Sequence, residues 1–420
     1  MAGRSSAIFS KPSSIDPRIR FAMLVMLTYS VGFGIIMPVM PTLVMELGHM
    51  SLSDATSVGG ALVATYAVFQ FLFSPLMGNL GDRFGRRPVV LFALLGFAVD
   101  YAVMAFAPSL LWLFLGRAVA GGLGAVFAPA QAIVADATPR ESRVQAFGLL
   151  GAAFGAGFII GPGIGGMIAG LGTRAPFLAA SALALVTLIY GLLRFEETLP
   201  PERRRPFSLR RANPLGAIVS LRNVSGIWLL AGAYLLWITA INICPVLWAW
   251  FATDRYGWGP GMIGLSLACT GISMAVCQVF VIGPLTARIG PNRAILIGLA
   301  GAMAGQIFYI VNGVGWLALI VSLMLGIQGI VQPSLTALLS AAVDDDRQGE
   351  LLGLNSSLAA LAAIAAPLSY NSLFTLFTGS DAPVSFPGAP FALAFLLAAT
   401  AMLLVGIDAS RRIGARLGDI

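Results

Sequence analysis

Two residues carry the chemistry that this sequence offers most plainly. Asp100 is the one clear carboxylate in the middle of a long apolar run, and Arg117 sits inside the next such run. An ionisable group among so many apolar residues is costly enough to imply a use. The two runs join through a short turn around Pro108. Counting back from it puts Asp100 about eight residues deep and Arg117 about nine, or about 12–14 Å at 1.5 Å per helical residue. Arg117 favours the ionised carboxylate, whereas desolvation favours the neutral acid. A group balanced in this way can exchange a proton, or release one when a ligand binds. A fixed structural ion pair is the plainer alternative.

Other chemistries find little support. The single histidine, His49, falls in a loop, so no Ser-His-Asp arrangement can be assembled. Cys244, Cys269 and Cys277 lie inside apolar segments without metal-ligand spacing, and an odd count argues against a disulfide framework. No metal cluster, cofactor fingerprint or nucleotide motif is legible. An enzyme is therefore not expected, and the energy source should be a gradient rather than ATP.

The elements that must position Asp100 and Arg117 follow from composition. Of 420 residues, 58% are hydrophobic and only 10% charged, and mean hydropathy is +0.89. Soluble domains carry roughly 25% charged residues, and disorder needs low hydrophobicity. A polytopic membrane protein remains. With about 20 residues per helical span, we expect twelve spans at about 21–45, 57–78, 89–107, 110–137, 146–170 and 176–193, then 226–251, 261–285, 294–312, 315–341, 350–377 and 389–407. Residues 1–20 form a polar, basic N-terminal segment with no cleavable signal, 194–225 a linker rich in Arg, Glu and Pro, and 408–420 a tail. A short amphipathic helix is expected from Leu215 to Leu221 within the linker.

The net charge of +7 does not point to nucleic acid, because the basic residues sit between the apolar runs. With the N-terminus inside, 22 of the 25 fall in inner segments, two (Arg174 and Arg255) in outer loops, and Arg117 within a span. That bias puts both termini in the cytoplasm.

The segment from Gly78 to Arg87 reads G-x-L-x-D-R-x-G-R-R. Glycine permits a tight turn between spans, Asp82 can cap or pair near a helix end, and Arg83, Arg86 and Arg87 can pair with neighbouring carboxylates. A related stretch, Gly283 to Arg293, keeps the Gly, the Leu two residues on and the Arg-x-Gly at the same offset. The chain thus looks like a duplication of a six-span unit, 21–193 and 226–407. In the fifth span, Gly157, Gly161, Pro162, Gly165 and Gly166 supply small residues for close helix packing and a proline kink.

The Gly78–Arg87 motif resembles the signature loop of the major facilitator superfamily. The resemblance implies an all-α membrane protein of twelve transmembrane helices in two six-helix bundles. It also implies that Asp82, Arg83, Arg86 and Arg87, with Asp136 as acidic partner, form a cytoplasmic charge lock. The run from Gly157 to Gly166 looks like the antiporter motif of the superfamily's drug exporters. With the Gly32–Pro41 run, the stretches around Asp100 and Arg117 and the segment Val343–Gly349, the resemblance narrows to the tetracycline-efflux branch over about residues 20–410.

The pattern departs from that branch at acidic positions. Tyr29, or Ser30 in a neighbouring register, stands where relatives have an acid in the first span. Ala302 stands at the acid of the ninth, and Met274 at a histidine some relatives have in the eighth. Asp100 and Arg117 are left as the candidate proton-coupling pair. Substrate-binding candidates are the polar and aromatic residues within spans: Tyr66, Gln70 and Gln131, then Trp237, Asn242, Gln278, Gln306, Tyr309 and Gln328. Amides donate and accept without charge, which suits amphipathic, weakly charged organic molecules. They also serve simply to bond helices together.

The expected function is export of tetracycline-like amphipathic molecules by alternating access, in exchange for protons, by a monomer in the cytoplasmic membrane without a cofactor. The rival expectation is an importer, facilitator or exchanger of a siderophore or other secondary metabolite, without proton coupling.

Overall fold

The structure is a computed structural model and describes residues 15–139, 142–207, 221, 227–344 and 347–418. The linker helix expected at Leu215–Leu221 lies almost wholly outside the described residues. Among the described residues, eight α-helices precede the linker: α1 (Pro17–Ile36), α2 (Met40–Gly48), α3 (Leu52–Phe84), α4 (Arg86–Phe106), α5 (Leu110–Leu123), α6 (Phe127–Ala137), α7 (Arg143–Ile168) and α8 (Ala175–Arg194). Eight follow it: α9 (Ile227–Ile241), α10 (Ile243–Tyr256), α11 (Pro260–Val276), α12 (Gly283–Val311), α13 (Gly315–Met324), α14 (Val331–Ser340), α15 (Gln348–Thr378) and α16 (Ala389–Gly418). Among the described residues, eleven helical stretches are long and apolar enough to cross a membrane.

Several of these stretches are interrupted. The first expected span divides into α1 and α2 around Met37–Val39, and the fourth into α5 and α6 around Gly124. The eighth and ninth run together as one 52-residue stretch, Pro260–Val311, through a π-helical turn at Cys277–Ile282. A straight helix of that length would reach about 78 Å, well beyond a hydrocarbon core of about 30 Å. It is not straight: Gly290, at φ 78° and ψ 163°, leaves the helical region. Gly85, between α3 and α4, has φ 108° and ψ 163°. These are the two glycines at the same offset in the repeated motif, and both use a positive φ that side-chain-bearing residues rarely adopt.

Close packing is set by glycine where helices cross. Along α7, a Cβ on Gly157 would strike Ser30 Oγ, one on Gly161 would lie 2.7 Å from the Val31 carbonyl oxygen, and one on Gly165 would strike that of Ile35. The spacing of four therefore seats α7 on α1. On another face, a Cβ on Gly166 would lie 2.6 Å from the Pro260 oxygen, and one on Gly264 would strike that of Pro162. Through these contacts α7 joins α1 to α11.

The helices before and after the linker meet tightly at the end remote from the Gly85 turn. There Asn371 donates to the Thr56 carbonyl at 2.8 Å, Ser57 to Thr375 at 2.8 Å, and Thr375 to the Ser53 carbonyl at 2.6 Å. The larger apolar cluster is continuous across this end, running from Leu43 and Leu62 to Trp250, Phe251 and Phe374. Toward the opposite end, which carries Arg86 and Arg87 and is called here the basic end, α3, α6 and α15 separate. A cavity of about 530 Å³ lies between them.

Candidate functional site

Asp100 on α4 and Arg117 on α5 meet in the apolar interior. The Arg117 Nε–H donates to Asp100 Oδ1 at 3.3 Å, and Nη2 pairs with Oδ2. Asp100 is fully buried and Arg117 is 7% exposed. Small neighbours make this fit: a Cβ on Gly116 would sit 2.9 Å from Asp100 Oδ1. The guanidinium carbon lies 5.5 Å from the Tyr66 ring centre and 5.9 Å from that of Tyr101. Cation–π attraction of this kind is worth more once water is excluded.

A line of polar groups leads from this pair to the large cavity. Gln70 Nε2 donates to Tyr66 Oη at 3.1 Å, and Tyr66 Oη donates to Tyr29 Oη at 3.4 Å. Tyr29, Gln70 and Gln131 line the 530 Å³ cavity. Beyond Tyr66, on the closed side, Arg117 borders a much smaller cavity of about 50 Å³, otherwise walled by apolar groups such as Phe33, Leu62 and Trp250. A single aromatic layer thus separates an open chamber from a shut one, with the ion pair behind it.

The remaining candidates are distributed unevenly. Gln306, Tyr309 and Gln328 come together with Ala302 around a cavity of about 40 Å³ within the C-terminal helices, room for a water or two. Tyr309 shares a 3.3 Å hydrogen bond with Ser322, while Gln306 Oε1 is buried without a protein partner. Trp237 is fully buried in the second apolar cluster and lines none of these cavities. Asn242 donates to the Ile238 carbonyl at 2.7 Å, where α9 gives way to α10. Gln278 is exposed on the π-helical turn.

At the basic end, Arg86 pairs with Asp82 at 2.6 Å and with Asp136 at 3.2 Å. Arg87 donates to the Leu192 carbonyl at 2.7 Å, and Arg83 lies over the Phe84 ring at 5.0 Å. Sequence reasoning missed Glu197, whose carboxylate accepts the backbone N–H groups of Arg86 (2.8 Å), Arg87 (3.2 Å), Thr198 (2.9 Å) and Leu199 (2.9 Å). It caps the start of α4, where unpaired N–H groups favour negative charge. The Arg205 N–H adds a 3.0 Å bond to the Asp82 carbonyl. Its only sequence signal was an acid in a basic linker.

Buried, paired charges beside a chamber between two groups of long apolar helices define a multi-pass membrane transporter. The Major Facilitator Superfamily model matches residues 22–367 and again 231–416, and the chain belongs to that family, which comprises transporters and not enzymes. The chain is 41% identical over 346 residues to the class C tetracycline resistance protein of Escherichia coli, covering 82% of this chain and 86% of that one. It is 38% identical over 367 residues to the class G protein of Vibrio anguillarum, covering 86% and 91%. Among solved structures, its fold is similar to that of the human organic anion transporter MFSD10 (TETRAN), with TM-score 0.68, 24% identity and coverage of 94% and 100%.

Proposed function

We propose that this protein exports amphipathic, drug-like small molecules, tetracycline-like ones among them, across the cytoplasmic membrane in exchange for protons. The observation that carries the reading is the Asp100–Arg117 pair, buried behind Tyr66 and Tyr29 at the wall of the chamber. The relatives named for tetracycline resistance support the substrate class.

In this reading Gly290 divides Pro260–Val311 into two spans. The chain then has twelve, in two six-helix bundles (21–193 and 226–407), with both termini cytoplasmic. The excess of arginine makes the basic end the cytoplasmic one. The chamber accordingly opens to the cytoplasm, and the seam between α3 and α15 shuts the outer side. This is the state that loads an export substrate. Asp82, Arg86 and Asp136, already paired here within the first bundle, form the charge cluster onto which the second bundle docks when the basic end closes, with Arg83 and Arg87 flanking it. The glycines of α7 hold the crossing about which the bundles rock. Gln70 lines the chamber and contacts substrate, with Tyr66 bonded behind it; Gln306, Tyr309 and Gln328 reach substrate when the small cavity they surround widens as the bundles rock, and one chain suffices. Trp237, Asn242 and Gln278 have no cavity contact to support that role.

Tyr29 and Ala302 favour a second reading, an exchanger or facilitator without proton coupling. Reconstituted protein with a pH dye in the vesicle lumen separates the two. Tetracycline-dependent proton movement supports exchange; tetracycline flux without it supports the second reading.

A further inference from the structure

The 530 Å³ chamber has a side pocket of about 150 Å³. The two share Phe127 and Gln131, whose side chains border both. Its walls are Met26, Phe127, Phe147, Leu150 and Phe154, with Gly151 on one side. The Phe127 and Phe154 rings lie 5.3 Å apart, and Phe127 meets Tyr29 edge-on at 5.5 Å. The one polar lining group is the exposed Gln131 amide.

We propose that this side pocket is a binding subsite for one uncharged aromatic ring of the substrate, with the Gln131 amide holding a hydroxyl or carbonyl on that ring. The proposal rests on the export reading above and adds the part of the substrate that is recognised. The size decides the class of group: an apolar cavity of about 150 Å³ takes one benzene ring. The wall disfavours an anionic group, which would lose its hydration with no partner of opposite sign. The edges and faces of Phe127, Phe147 and Phe154 suit offset or edge-on contact with another ring. The remainder of the molecule lies in the larger chamber against Gln70 and Tyr29.

Gly151 gives a clean way to fill the pocket. A Cβ there meets nothing within 4 Å, so Gly151→Leu enters the pocket without displacing backbone. Gly148, three residues earlier on α7, is equally open and does not line the pocket. Its side chain would lean toward the helix start, so Gly148→Leu controls for the added leucine.

The test is ¹⁹F NMR of 4-fluorophenol with the protein in lipid nanodiscs, empty discs serving as blank. We expect saturable binding to wild type and Gly148→Leu, displaced by tetracycline, and weakened about tenfold or more in Gly151→Leu. Binding no greater than to empty discs, or unchanged in Gly151→Leu, overturns the proposal. Tetracycline flux in vesicles separates it from the export reading. Ring binding of the expected pattern without flux keeps the subsite and removes export. Flux with unchanged half-saturation in Gly151→Leu keeps export and removes the subsite.

Discussion

Trp250 of α10 closes directly over Gly59 of α3, so that even a methyl group at residue 59 would collide with the indole. Next to this contact, Asn371 bonds the Thr56 carbonyl, and a Cβ on Gly60 would lie 2.7 Å from that of Asn371. Closure of this end therefore depends on the absence of side chains at two consecutive positions.

A wedge at that contact should hold the outer end open. Overpacking costs about 1–3 kcal/mol, enough to move a balanced two-state equilibrium about tenfold. Gly59→Leu should lower tetracycline flux by about that factor. It should also speed labelling of Ser57→Cys by an impermeant maleimide from the outer side. Adding Trp250→Ala should restore both; labelling that stays slow in Gly59→Leu would show that the seam is not the gate.

Glu197 should matter more than its place in a linker suggests. Hydrogen bonds to a charged group are worth about 1.5–3 kcal/mol each when well formed, although this carboxylate is half-buried and solvent weakens it. Glu197→Gln should lower the unfolding free energy of the purified protein by about 1–3 kcal/mol, while Glu196→Gln, on the exposed neighbour, leaves it unchanged. Equal effects in a denaturant titration would contradict the capping role.

The two motif glycines should respond differently. Both require positive φ, which costs a non-glycine residue about 1–3 kcal/mol. At Gly85 an added Cβ would also strike the Glu197 carboxylate, whereas at Gly290 it meets nothing within 4 Å. Gly85→Ala should therefore destabilise more than Gly290→Ala, and Glu197→Ala should bring the two closer. The comparison is made by thermal unfolding, in one detergent, of each glycine variant and its parent in the wild-type and Glu197→Ala backgrounds.

Much of this was legible because the bilayer imposes one simple demand on sequence. Runs of about 20 apolar residues mark helices, and counting from Pro108 placed Asp100 and Arg117 at similar depth, where the structure pairs them. The interruptions were less legible. Hydropathy does not register the break at Met37–Val39 or the π-turn at Cys277, because those backbone groups are satisfied by local rearrangement with no change in polarity. Trp237 and Gln278 illustrate a second limit: periodicity says that a residue lies in a span, not which of several faces it occupies. Glu197 acts through backbone N–H groups 110 residues away, and backbone partners leave no trace in side-chain pattern. The aromatic pocket around Phe127 and Phe154 is of the same kind, since phenylalanine is ordinary filling in any apolar helix.

Removing one member of the ion pair should be more harmful than removing both. A buried charge left alone costs about 3–5 kcal/mol, while replacing both partners by packed hydrophobic groups of similar volume is close to neutral. Arg117→Met should thus unfold more readily than the double variant Asp100→Leu with Arg117→Met. Equal stability of the two would mean that Asp100 neutralises itself by taking up a proton once Arg117 is gone.

In the export reading, Asp100 carries the exchanged proton. The direct measurement is tetracycline accumulation in inside-out vesicles under an acid-inside pH gradient, comparing wild type with Asp100→Asn. We predict gradient-driven accumulation by wild type and its loss in Asp100→Asn, with downhill tetracycline exchange retained. Full accumulation by Asp100→Asn would contradict the account. So would wild-type flux indifferent to the gradient, and the absence of acids at Tyr29 and Ala302 would then be the feature that defines this transporter.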